Sequence, residues 1–555
     1  MKLVLIQPPI EDFYHTPVRL VPLGLGYLKA AVKKFLPEVE VVIKDYHQGW
    51  GRRTIPLPND LAYLKEYYAW PDQSPFSTFF HYYHFGADYK TMALEIVREK
   101  PDLVGISSLF TPYHREVWQS AEALKERLKV PVLLGGAHVS AAPELMLSHP
   151  AVDWVIRGEG EKPLVELLRA ILQGRALSGL PNLGFKKEGR VILNPIEENY
   201  PLAEIPDPDL SDLPPGYYLY DQKPLCFLIT SRGCPHRCAF CSVYLTFGRG
   251  YRRRRPEAVF EEIQERYRQG YRVFDFEDDN LTFSREDLIT LGELLSRTFA
   301  PGEVQCLAMN GISYQSLDPE LLAVMKRAHF THLNLSLVTL DRETRDRTRR
   351  PHTLRRYIAV VKEAQQLGFK LVSYQILGLP GESLDSMIRT LVLAAGLPVL
   401  IGASPFYLSP QTPLSRDFPP PEPIDLFRAR LTALALETES CKREDLYTLW
   451  VSSRIINFLK GLRFDPACIS FSEAMALALQ KGRRAATGVE ILSRLLTEKT
   501  FYAATPDGLK PLPKFRTPLF FRLWTQLRQI GTTEGKGITL QKFDLKKNVL
   551  KVLGV

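Results

Sequence analysis

Cys234, Cys238 and Cys241 lie in Thr230-Ser-Arg-Gly-Cys234-Pro-His-Arg-Cys238-Ala-Phe240-Cys241, directly after the apolar run Leu225–Ile229. Three thiolates within eight residues, separated by three and two others, can converge on one small cluster. Three protein ligands leave one iron of a four-iron cluster open, and an open iron can bind a substrate or cofactor directly. A structural zinc site normally requires four ligands. His236 sits between the ligands, where geometry disfavours it, and Cys226 lies in the preceding strand. Seven cysteines in 555 residues are too sparse, and odd in number, for a disulfide framework.

The spacing resembles the Cys-x3-Cys-x-aromatic-Cys loop of the radical S-adenosylmethionine (radical SAM) superfamily, with Phe240 in the aromatic place. The resemblance implies a 4Fe-4S cluster held by Cys234, Cys238 and Cys241. It also implies SAM chelated to the fourth iron and cleaved by one electron to methionine and a 5'-deoxyadenosyl radical.

The elements that must carry this loop follow from alternation. Over 1–175, strands are expected at Lys2–Ile6, Val39–Ile43, Leu103–Ser107, Val132–Leu134 and Trp154–Ile156, with helical spacing over Pro22–Phe35 and between the later strands. Such alternation predicts a parallel sheet covered on both faces, whose ligands sit at the carboxyl ends of the strands. Gln7-Pro8-Pro9, Ser107-Ser108, Gly135-Gly136-Ala-His138 and Arg157-Gly158-Glu159-Gly160 fall there. With Pro22-Leu-Gly24-Leu-Gly26, these pieces resemble the cobalamin-binding domain that precedes many radical SAM domains. The resemblance implies cobalamin contacts at Gln7, Pro8, Gly24, Ser107, Gly135, Gly136, Gly158 and Glu159. Asp45-Tyr-His47-Gln-Gly49 follows the wrong strand and has its glycine one residue early for a cobalt-ligating loop, so His47 is not assigned to cobalt. An insertion between Trp50 and Tyr89 carries ten aromatic residues from Tyr63 to Phe85. It is expected either to cover the corrin or substrate pocket, or to form an interface between domains.

Residues 176–221, with seven prolines, read as a linker. Over 222–420, strands are expected at Leu225–Thr230, Arg272–Phe276, Val304–Met309, His332–Leu337, Lys370–Leu377 and Ile401–Tyr407. Pro256 opens and Gly270 closes a helix with an apolar face at Val259, Phe260, Ile263 and Tyr267. Six strand-helix units fit the partial (β/α)6 barrel of radical SAM enzymes. Glu277-Asp278-Asp279-Asn280 follows the second strand, and adjacent carboxylates at a strand end need solvent or cations. The resemblance implies SAM contacts from Phe240, Asp278, Asp279 and Ser336. It departs from the family at Val338, usually Glu or Gln, and at Gln411 in Gln411-Thr-Pro-Leu414, usually glycine. Most of the basic run Arg252–Arg255 is expected to be solvated, with some of its arginines available to SAM, a phosphate or an anionic substrate.

Residues 421–555 are expected to be mainly helical, at Ile424–Leu436, Leu446–Leu462 and Ala474–Gln480, with a basic, irregular segment after Pro511. Cys441 and Cys468 read as isolated thiols. The fold class is thus α/β: a Rossmann-like doubly wound cobalamin-binding domain, a linker, a radical SAM barrel and a helical C-terminal region. The net charge of +9 does not demand nucleic acid. The N-terminus reads as a strand rather than a signal, and no span is expected, which points to the cytoplasm. The resemblance implies a methyltransferase using 4Fe-4S, SAM and cobalamin on a small-molecule substrate. A reductase, flavodoxin or ferredoxin would supply electrons. The competing expectation is ring closure, contraction or oxidation with the same cofactors.

Overall fold

The computed structural model describes residues 1–16, 20–350, 353–467 and 470–530, so Cys468 and the end of the basic tail lie outside the described residues. The first sheet has seven strands: β1 (Lys2–Gln7), β2 (Glu40–Asp45), β3 (Leu103–Ser107), β4 (Val132–Gly135), β5 (Trp154–Ile156), β6 (Leu183–Lys187) and β7 (Arg190–Leu193). Their order is β7-β6-β5-β4-β3-β1-β2, with β1 to β5 parallel. Leu3, Val4, Leu5 and Ile6 are all buried, as an apolar run in a strand covered on both faces should be. The order reverses between β1 and β3, and a crevice at such a switch point is where ligands of doubly wound sheets bind.

The antiparallel strands β6 and β7 extend this sheet past residue 175, so the stretch expected to be a linker is partly domain. Their proline-flanked, half-exposed residues carry little periodic signal. Further on, Leu210, Leu213, Tyr218 and Tyr220 pack in one core with both the first sheet and the barrel.

The barrel strands are β8 (Lys223–Leu228), β9 (Val273–Phe276), β10 (Gln305–Leu307), β11 (His332–Val338), β12 (Lys370–Leu377) and β13 (Leu400–Pro405). They form two parallel sheets, β8-β9-β10 and β11-β12-β13, joined by bridges Cys306–Phe330 and Ile312–Leu335. The helix Pro256–Arg268 opens on its proline and buries Val259 and Ile263.

The aromatic insertion forms the interface between domains. Tyr68 donates its hydroxyl to the Thr432 carbonyl at 2.7 Å, and Tyr63 to that of Ala433 at 2.7 Å. Phe76 packs edge-on against Phe458 at 5.1 Å, and Phe79 lies tilted against Trp450 at 5.7 Å. Arg430 closes the same interface. Its side chain is 3% exposed and donates to Asp12 Oδ2 (3.2 Å), the Glu11 carbonyl (2.9 Å) and the Pro112 carbonyl (2.8 Å). Asp12 also accepts from Tyr113 and Thr432, so the buried pair is fully hydrogen-bonded.

That ion pair explains why the helix expected over Ile424–Leu436 is only Pro423–Phe427 followed by a 3-10 turn: the chain turns to present Arg430, and Leu434 takes φ +49°. Arg443–Leu462 and Phe471–Lys481 match expectation. Arg483–Glu498 was not anticipated, nor was Thr517–Ile530, where the sequence reads as irregular.

Candidate active site

The cysteine loop leaves β8 at its carboxyl end, and the neighbouring β9 supplies its fastening. Asp278 is 2% exposed. It accepts from the Thr230 amide at 3.1–3.2 Å, the Thr230 hydroxyl at 2.7 Å and the Ser231 hydroxyl at 2.5 Å. Burial pushes its carboxyl up, and these donors oppose the shift. Asp278 is therefore turned into the loop. Asp279 accepts from the Gly233 amide at 3.0 Å, with its carboxyl pushed up to about 6 by burial. At Gly233, φ is +82° and a Cβ would stand 2.3 Å from the Gly250 carbonyl oxygen, so only glycine fits beside the first cysteine.

Burial raises the Cys234 thiol and pushes Cys241 up to about 11, and each acts electrostatically on Cys238 or is acted on by it. Yet among the described residues no three His, Cys, Asp or Glu side chains close on a single ion. Cys226 is 2% exposed within the barrel core, its thiol pushed up to about 12 by burial, and it offers no fourth ligand. His236 stands edge-on to Phe283.

Two donors missed in the sequence point at these sulfurs. Asn280 Nδ2 lies 3.6 Å from Cys234 Sγ and Arg350 Nη1 lies 3.7 Å from Cys238 Sγ. Hydrogen bonds to cluster sulfurs tune the reduction potential. Phe240 joins a small apolar cluster with Ala239, Val338, Leu379, Phe406 and Leu414. Ser336 lies in β11 just before a register shift, and Val338 there takes φ +67°, rare for a β-branched residue. Gln411, in the place of the family's glycine, has φ +58°, the conformation glycine adopts freely.

Across from this loop stand the strand ends of the first domain. Gln7 and Ser107 are buried at the ends of β1 and β3, with Pro8 following. Gln7 Oε1 and Ser108 Oγ are buried without a hydrogen-bond partner, a cost that a ligand's polar groups would relieve. At Gly24 and Gly135 nothing lies within 4 Å of where a Cβ would be. Gly136 takes φ +123°, and a Cβ there would meet the Ser108 carbonyl oxygen at 2.5 Å. Orphaned polar atoms beside open, glycine-lined backbone fit a large cofactor with polar side arms. His47 is buried rather than solvated, edge-on to Phe85.

Gly158 and Glu159 bind the two halves together. Gly158 lies against the helix Tyr244–Phe247 that follows the cysteines: a Cβ there would be 3.5 Å from the Thr246 carbonyl oxygen. Glu159 accepts from Arg232 Nη1 at 2.6 Å and from Arg252 at 2.5 Å. The basic run is mostly paired rather than solvated. Arg253 meets Asp287, and Arg254, 8% exposed, meets Glu262 and Asp207.

Tyr407, just past β13, is 41% exposed, yet desolvation by the surrounding protein raises its hydroxyl. Tyr14, from the first domain, feels its charge. Neither tyrosine carried a sequence signal.

Residues 228–394 match the radical SAM superfamily and residues 80–168 match the B12-binding domain. The chain is an enzyme that joins a B12-binding domain to a radical SAM domain, which defines its cofactors as 4Fe-4S, SAM and cobalamin. Its relatives include methyltransferases and anaerobic magnesium-protoporphyrin IX monomethyl ester cyclases. An uncharacterized methyltransferase of Pyrococcus horikoshii is 27% identical over 406 residues, 72% of this chain and 79% of that protein. Cytidylyl-2-hydroxyethylphosphonate methyltransferase of Streptomyces wedmorensis is 25% identical over 439 residues, 70% and 75% of the two chains. The cobalamin-dependent S-adenosylmethionine radical enzyme OxsB, solved with aqua-cobalamin and S-adenosylmethionine, superposes with a TM-score of 0.60. That match covers 100% of this chain and 78% of the other at 14% identity, a likeness of fold. Among the described residues no helix is long and apolar enough to cross a membrane.

Proposed function

We propose that the protein methylates an unactivated carbon of a small-molecule metabolite. The observation that carries this reading is the fastening of the cysteine loop, through Arg232, to the glycine-lined strand ends of the B12-binding domain. When bound, cluster and SAM supply the hydrogen-abstracting radical and cobalamin the transferable methyl group.

The chain's own part is placement. Cys234, Cys238 and Cys241 hold the cluster, and Asp278 fixes the loop that carries them. Asp279 and Phe240 are positioned to meet SAM, Asp279 through its carboxylate. Ser336 stands at the mouth of the barrel on β11 as a further SAM contact. Gln7, Pro8, Gly24, Ser107, Gly135, Gly136 and Gly158 would border the corrin and its tail, with open space beside Gly24 and Gly135, while Glu159 anchors the loop arginines beside it. The apolar cluster around Phe240 would keep water from the side of the cysteine loop it packs against. Electrons come from a reduced flavodoxin or ferredoxin.

The test is an anaerobic assay of the reconstituted protein with methyl-labelled SAM and cell extract. Label in a product, with S-adenosylhomocysteine formed alongside 5'-deoxyadenosine, supports methylation. Formation of 5'-deoxyadenosine alone with the true substrate would transfer the case to ring closure, contraction or oxidation.

A further inference from the structure

The stretch Arg342–Arg350 carries five arginines against two acids, Glu343 and Asp346. It comprises the helix Arg342–Thr348 and the turn after it, which follow β11. Its backbone is bonded to the cysteine loop: the Ala239 amide donates to the Thr348 carbonyl at 2.8 Å. One arginine, Arg350, reaches inward to Cys238 Sγ. Arg342 and Arg349 are exposed on the outside, and Arg347, also exposed, rests its guanidinium against Gly381 beside Glu382. Arg342 is 88% exposed and 3.7 Å from Asp346, itself 72% exposed, a pair of negligible strength in water. Arg237, on the cysteine loop itself, is exposed as well. A positive surface therefore lies one side chain away from the cluster ligands.

The geometry points to this surface as the docking site for an acidic one-electron carrier protein. The inference rests on the radical SAM reading above, which requires one electron at the cluster for each SAM cleaved. A carrier that must arrive, discharge and leave needs a small, polar, transient interface. Opposite charges raise the encounter rate of such partners without a large buried area. At the interface one electron leaves the carrier, which is oxidised, and enters the cluster, which is reduced. No bond or proton changes there. An exposed arginine face at the cluster loop meets each requirement. The other charged face beside the loop, Arg252–Arg254, is already consumed by Glu159, Asp287, Glu262 and Asp207.

The experiment uses the full reconstituted chain, a bacterial flavodoxin as carrier, and the triple variant R342E/R347E/R349E. The milder R342Q/R349Q guards against misfolding. Carrier affinity is measured by calorimetry at about 50 mM and about 300 mM salt, where screening differs strongly. SAM cleavage is measured with dithionite, which needs no docking site. The expected result is at least a tenfold loss of carrier affinity in the triple variant and a smaller loss in the double. Salt weakens the unchanged chain and no longer weakens the triple variant, while dithionite-driven cleavage is equal in all three. Unchanged carrier affinity in both variants overturns the proposal. So does loss of dithionite-driven cleavage, which would place the arginines in the substrate or SAM site. Tighter, arginine-dependent binding of a single-stranded oligonucleotide would overturn it in favour of nucleic acid. If the unchanged chain cleaves no SAM with dithionite, the radical reading itself fails, a result distinct from the others.

Discussion

Arg232 Nη2 lies 2.6 Å from Glu161 Oε1, both side chains 5% exposed, and with the bonds of Arg232 and Arg252 to Glu159 this contact fixes the cysteine loop to the B12-binding domain. Glu161 opens the helix Glu161–Leu172 that follows β5, and Arg232 stands two residues before Cys234. Burial alone would raise the Glu161 carboxyl, but Arg232 outweighs it and holds it below the ordinary value.

Removing the arginine leaves Glu161 buried without its cation and Glu159 with Arg252 alone. Arg232→Ala should therefore cost about 3–5 kcal/mol, read by denaturant unfolding. Because the folded pKa of Glu161 is depressed, its share of stability is complete above the ordinary carboxylate pKa and is lost as pH falls through the lower folded value. The gap between Glu161→Gln and the unchanged chain should close over that acid range; a gap that stays constant to low pH would show that Glu161 is not paired as an anion.

Cys238→Ala should abolish cluster loading and SAM cleavage together. Iron content and 5'-deoxyadenosine are the two readouts, and persistence of both would overturn the assignment of the triplet.

Asp278→Ala leaves every cysteine intact but strips the loop of four hydrogen bonds. Iron retention after gel filtration should fall several-fold, since loop order, not ligand number, is what the change removes. Full retention would mean that the cysteines order themselves.

Glu116 is 2% exposed, with Oε1 accepting from the Glu11 amide at 3.2 Å and Oε2 unpartnered. Burial pushes its carboxyl up to about 8; Arg430 opposes this, while Glu11 and Asp12 reinforce it. A raised acid contributes stability that is complete below its ordinary pKa of 4.5 and lost as pH rises towards about 8. Each tenfold gain in proton affinity on folding corresponds to about 1.4 kcal/mol. Stability should fall by a few kcal/mol between pH 5 and 8, and Glu116→Gln, neutral throughout, should lose much less. Parallel pH profiles for the two proteins would contradict this.

Phe76→Ala empties a fully buried site between Phe458 and Phe501. A loss of about 3–5 kcal/mol is expected, with the insertion and the C-terminal helices loosening as one unit in hydrogen exchange.

How much of this was written in the sequence depends on how far apart the partners lie. The parallel strands were legible because a strand buried on both faces reads as a continuous apolar run, as Leu103–Ser107 does. The cysteine triplet was legible because all three ligands fall in one loop. Asn280 and Arg350, 46 and 112 residues from the sulfurs they approach, carry no local pattern. Arg430 resembles any surface arginine until Asp12, 418 residues away, is brought to it. β6 and β7 were hidden because they are short, only partly buried and flanked by Pro181 and Pro195. The insertion's aromatic content argued for packing, but only the fold could name Trp450 and Phe458 as its partners.

That last pairing has a consequence for biosynthesis. Tyr68 and the Thr432 carbonyl it bonds are 364 residues apart, so the aromatic insertion is made early and its cover very late. At the usual pace of synthesis the ribosome needs roughly 20–70 s to cross that distance. Throughout that interval a patch of aromatic side chains awaits its other half. Truncations ending before residue 458 leave that patch uncovered and should be recovered mainly as aggregate.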